Sequence, residues 1–102
     1  MELVHKHIIL RIEANKPPEE NELKEWMVEL VDKIGMKILA GPISANIDYM
    51  PGNNGPTCVV IIETSHFACH VWNDTDPALI QLDVYTCGPF DPQKVIEHIQ
   101  VW

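Results

Sequence analysis

Apolar and polar positions alternate at the start of the chain. In VHKHIILRIE (residues 4–13), Ile8, Leu10 and Ile12 share one strand face, opposite His5, His7, Ile9 and Arg11. The period then changes. Leu23, Trp26, Met27, Leu30, Val31 and Ile34 recur at three- and four-residue steps, which predicts an amphipathic helix. Pro17 and Pro18 are expected in its first turn, and Gly35 as its left-handed C-terminal cap. Residues 36–49 alternate again as a strand, interrupted at Gly41-Pro42, and MPGNNGP at 50–56 is dense turn chemistry. A strand at 57–63, a short strand in ETSHFACHVW (63–72), a loop at 73–77 and a strand at 78–87 follow. Asp91-Pro92 then forms an N-cap and first-turn pair for a last helix, with Val95, Ile96 and Ile99 on its inner face. The expected fold class is α+β: an antiparallel β-sheet with two helices packed on one face.

At 102 residues the chain is expected to form a single domain, 1–102, with one core. No apolar run reaches the roughly 18–20 residues that cross a bilayer. The N-terminal MELVHKHIIL lacks the basic and apolar regions of a signal peptide, so a cytoplasmic location and no membrane partner are expected. Seven basic against fifteen acidic residues give a net charge of −8, which argues against nucleic acid and is compatible with a cationic small molecule. Cys58, Cys69 and Cys87 are odd in number and contain no CxxC pair, which argues against a disulfide framework and a zinc knuckle. No His, Cys or carboxylate pair has a recognised ligand spacing, so no metal is expected.

The chemistry-bearing stretch is ETSHFACHVW, where Ser65, His66, Cys69 and His70 follow the apolar CVVII. Alone, each has an ordinary reading. His66, Ala68, His70 and Trp72 fall on one half-buried strand face, and an isolated Cys87 is more often a small core residue than a catalyst.

Taken together, Ser65-His66, His70, Trp72 and Thr86-Cys87-Gly88 resemble the small prokaryotic S-adenosylmethionine decarboxylases. KHIILRIEA, GMKIL and the Asp-Pro helix fall in that family's order too, so the resemblance covers nearly the whole chain. It implies a chain that makes its own cofactor. Ser65 would attack the preceding carbonyl, and the chain would self-cleave between Thr64 and Ser65 into a β chain (1–64) and an α chain (65–102). A pyruvoyl group would then be left on the former Ser65, to form a Schiff base with the substrate amine and act as electron sink. By the same resemblance His70 is the processing base and Cys87 the proton donor in decarboxylation. Thr57 is the hydroxyl that stabilises the cyclic processing intermediate, with Glu63 and Thr64 flanking the cut. Trp72 and Phe67 are candidates for lining the substrate pocket, and Phe67 could equally be a core residue. The implied function is decarboxylation of S-adenosylmethionine for spermidine and polyamine synthesis, by a homodimer whose site lies near the subunit interface.

The chain departs from the family pattern at Thr64, where glutamate is usual, at Asn73-Asp74 after Trp72, and at Ala68. Two other readings therefore stay open: a pyruvoyl decarboxylase of arginine or ornithine, and an unprocessed homologue that binds a ligand or partner without catalysis.

Overall fold

A computed structural model describes residues 3–102. The chain runs β1 (Lys6–Ala14), α1 (Glu20–Lys33), β2 (Ile38–Ile47), β3 (Gly55–Ile62), β4 (Ser65–Trp72), β5 (Ala78–Thr86) and α2 (Pro92–Ile99). The five strands form one antiparallel sheet in the order β1-β5-β4-β3-β2. Strands β2 to β5 are a meander. Helix α1 carries the chain from β1 at one edge to β2 at the other, and packs against β2 and β3.

Alternation decides which face each strand buries. Cys58, Val60 and Ile62 on β3, Phe67, Cys69 and Val71 on β4, and Ile80, Leu82 and Val84 on β5 are all buried. They meet Leu23, Trp26, Met27, Leu30 and Val31 of α1 and Val95 and Ile99 of α2 in one apolar core. The helices are joined to each other as well. The Trp26 indole N–H donates to the His98 carbonyl and the His98 Nε2–H donates to the Trp26 carbonyl, each at 3.1 Å, with the rings stacked at 4.7 Å. Both helices therefore lie on one face, as the stripes predict, and the opposite sheet face is open.

The structure shifts two expected boundaries. Helix α1 begins after Pro17-Pro18, not on them. Glu19 is its N-cap, in a capping box with Glu22. Gly35 follows the helix at φ 76°. The ETSHFACHVW stretch is not a short continuation of the preceding strand either. The chain reverses at Glu63-Thr64, and β4 is a full eight-residue strand antiparallel to β3. Asp91 caps α2 through its carboxylate, which accepts from the Gln93 N–H at 3.0 Å. No helix among the described residues is long and apolar enough to cross a membrane.

Gly55 opens β3 at φ 143°, where a β-carbon would collide with the Val71 carbonyl of β4. Backbone cannot move aside as a flexible side chain can. Gly55→Ala is expected to destabilise the fold by on the order of 3 kcal/mol, read from the urea midpoint.

Burial pushes the Cys69 thiol up to about 12, and the adjacent Cys58 adds to the shift. Above about pH 9 only the unfolded chain loses this proton, so stability is fully present below that pH and falls as pH rises toward 12. The expected slope is about 1.4 kcal/mol per pH unit for this group. With reductant present throughout, urea midpoints compared across this range should fall in the natural protein and fall less in Cys69→Ala.

Candidate active site

Two groups of chemistry-bearing residues lie at different places on the sheet. The first surrounds the β3–β4 turn. Ser65 pairs with Ile62 across the turn and with Thr86 on β5. Its φ is 140°, the one positive value outside glycine among the described residues. An L side chain held there costs about 1–3 kcal/mol, which the surrounding contacts must offset. Those contacts are visible. The Thr64 carbonyl accepts the Cys87 N–H at 2.8 Å, and the Glu63 N–H donates to the Lys37 carbonyl at 3.0 Å. The Thr86 hydroxyl donates to the Thr64 hydroxyl at 2.8 Å and itself accepts the Gly88 N–H at 3.0 Å. Thr86 is fully buried, and it pins Thr64 against the loop that carries Cys87.

This arrangement suits acyl transfer. The peptide carbonyl before Ser65 already has a backbone donor on its oxygen, as an oxyanion site requires. Thr64 stands where the family that the sequence resembles usually has glutamate, and its hydroxyl is held as part of the same cluster.

The second group lies on the open face. The Thr57 hydroxyl and His70 Nδ1 are 3.1 Å apart on directly opposed positions of β3 and β4. Trp72 follows on the same face, its indole N–H donating to Asn53 Oδ1 at 2.9 Å. Trp72 lines two cavities. One, of about 370 Å³, is lined by Arg11, Gly52, Thr75, Leu79 and Gln81 as well as Trp72. The other, of about 150 Å³, includes Thr57 and His70. Asp74 holds the rim, accepting the Gly52 and Asn54 N–H groups at 2.7 and 3.3 Å. Arg11 takes part in no ion pair among the described residues.

One expectation needs correction, and the position of a second residue has a consequence for the site. Phe67 does not line a pocket: it is fully buried on the helix side, because it has the opposite strand parity from Trp72. His70 does not approach Ser65 within one chain. Five strand steps, about 17 Å, separate them along β4. Glu63 is exposed on the turn. Sequence reasoning missed Thr86, Arg11 and the Cys87 backbone N–H. Thr86 was visible in the Thr-Cys-Gly motif, but its hydrogen bonds are long-range.

A third cluster sits on the open face beside the turn. His5 Nδ1 is 2.8 Å from the Tyr85 hydroxyl, His7 Nε2 is 2.6 Å from Asp83, and His66 stacks on Tyr85 at 5.9 Å. Among the described residues no three His, Cys, Asp or Glu side chains converge on one point as metal ligands would.

Comparison with known proteins gives the family. The family model described as S-adenosylmethionine decarboxylase matches residues 9–101. The S-adenosylmethionine decarboxylase proenzyme of Pyrococcus horikoshii is 30% identical over 103 residues, covering 97% of this chain and 69% of the relative. The proenzyme of the same name from Pyrococcus furiosus is 29% identical, with 97% and 69% covered. The arginine decarboxylase proenzyme of Aeropyrum pernix is 30% identical over 100 residues, covering 93% of this chain and 71% of the relative. No solved structure matches the chain. The protein belongs to the S-adenosylmethionine decarboxylase family.

Proposed function

We propose that the protein is a self-processing decarboxylase of S-adenosylmethionine, cut between Thr64 and Ser65 and active as a homodimer. The observation that carries this reading is the Thr64–Ser65 peptide, strained at φ 140° and hydrogen-bonded at its carbonyl by the Cys87 N–H. Ser65 Oγ adds to the Thr64 carbonyl carbon while that N–H stabilises the developing oxyanion. The Ser65 nitrogen departs as an amine, leaving an ester. Removal of the Ser65 α-proton by a base then expels residues 1–64 as a carboxylate. Water releases ammonia from the new N-terminus and leaves the pyruvoyl carbonyl on residue 65.

That carbonyl supplies an electrophile for the substrate amine and a sink for the electron pair left by carbon dioxide. Cys87 holds the proton destined for the substrate α-carbon, since the loop tied to Thr64 keeps it beside residue 65. His70, held by Thr57, is the processing base and must come from a second copy, because strand geometry keeps it from its own Ser65. The open face invites that copy. Ile9, Ile43 and Ile61 are exposed at 58%, 63% and 45% on a sheet face that the helices leave uncovered. Stacking two such faces about a twofold axis across the strands brings the Thr57–His70–Trp72 region of one protomer over the Ser65 end of the other.

The substrate assignment rests on Trp72 and Arg11. An adenine ring stacks on an indole, and a sulfonium is attracted to its face. The guanidinium of arginine would meet the unpaired Arg11 charge in the larger cavity. The Aeropyrum pernix relative, named an arginine decarboxylase proenzyme, keeps arginine as the second reading.

Release of labelled carbon dioxide from S-adenosylmethionine, arginine and ornithine tests the choice. S-Adenosylmethionine is expected to lead by about a hundredfold or more in kcat/KM, which corresponds to roughly 3 kcal/mol of transition-state discrimination. A preference for arginine or ornithine would overturn the substrate, and turnover of none of them would overturn the enzyme.

A further inference from the structure

Cys58 and Cys69 have no part in the chemistry above, yet their placement is specific. They are directly opposed in the β3–β4 ladder, and both are free and fully buried on the helix side. Directly opposed antiparallel residues have Cα atoms about 4.5–5.5 Å apart. That spacing lies within the roughly 4.4–6.8 Å that a disulfide spans. Burial pushes both thiols up, and for Cys69 the neighbouring Cys58 adds to it, as expected of two sulfur groups in close proximity. The segment between them contains the β3–β4 turn and the Thr64–Ser65 bond. Cys58 therefore belongs to residues 1–64, and Cys69 to residues 65–102.

We propose that Cys58 and Cys69 form a cross-strand disulfide that keeps the two halves of the chain covalently joined after self-cleavage. The joining role rests on the processing reading above; the bridge itself does not. The oxidant is a small disulfide of the glutathione class. The two cysteines lose two protons and two electrons, a bond forms between their sulfur atoms, and the small disulfide is reduced to two thiols. Cys87 stays out of the exchange because it has no sulfur opposite it in the sheet. Burial that hinders formation in the closed sheet also protects the finished bridge from reductants, so its formation belongs to folding or to local opening of the ribbon.

The test refolds the full chain and its Ser65→Ala variant from denaturant in graded glutathione buffers, so that burial does not limit access. Free thiols are then alkylated and masses read with and without reductant. The expected result is a linked Cys58–Cys69 peptide in both proteins. In the natural chain, the two cleaved halves should share one mass until reductant separates them. Alkylation or glutathione adducts at Cys58 and Cys69 in folded protein, at the most oxidising ratio, would overturn the bridge. A linked peptide in both proteins with no cleaved halves in either would confirm the bridge and overturn its joining role.

Discussion

Ser65→Ala is expected to yield a single mass near 11.6 kDa and no decarboxylase activity, where the natural chain yields two fragments meeting at Thr64/Ser65. The loss should reach on the order of 10⁴-fold or more, because the change removes the processing nucleophile and every later step with it. The fold should survive. Alanine keeps the backbone at its strained φ, so the urea midpoint of Ser65→Ala should match that of an uncut chain. Ser65→Gly separates strain from chemistry: it removes the nucleophile and also relieves the positive φ, so it should be uncut and more stable by about 1 kcal/mol. Cleavage at the same bond in Ser65→Ala would show that the serine hydroxyl is not the nucleophile. Equal stability of the alanine and glycine variants would remove the argument from strain.

The second large effect concerns His70. His70→Ala alone should slow processing about 10²–10⁴-fold, the usual range for a positioned base. The informative experiment co-expresses it with Ser65→Ala. A His70→Ala chain keeps Ser65 but lacks the base, and a Ser65→Ala chain keeps the base but has nothing to cut. If His70 acts across the dimer, mixed dimers should cleave the His70→Ala chains, to about half of their total under random pairing. The Ser65→Ala chains should stay whole. No cleavage in the mixture would mean that His70 acts within its own chain and would remove the main reason for a shared site. Unimpaired cleavage of His70→Ala by itself would place the base elsewhere, and His66, which adjoins Ser65 and faces Tyr85, would be the first residue to test.

Much of the scaffold was legible because it depends on local period. The α1 stripe, the Asp91 cap and the alternation of β1 and β5 each reflect residues within a few positions of one another. Strand parity also separated His66, His70 and Trp72 from Phe67, and of the two readings open for Phe67 the structure takes the core one. The β3–β4 reversal was harder. Glu63-Thr64 contains no glycine, proline or asparagine, and its backbone is held by Lys37 and Cys87 from other parts of the chain. No local signal marks such a turn.

The amino-acid pattern by itself determined the fold class, the two helices and the resemblance that names Ser65, His70 and Cys87, because these follow from periodicity and motif order. Tertiary structure alone decided that β1 lies beside β5, that the Cys87 N–H meets the Thr64 carbonyl, and that Ser65 is held at positive φ. It also divided the site, joining Thr57 to His70 while keeping both from Ser65. The physical reason is distance along the chain. Contacts such as that between Thr64 and Cys87 form only once several strands have chosen their neighbours and register, and no period within a single strand encodes that choice.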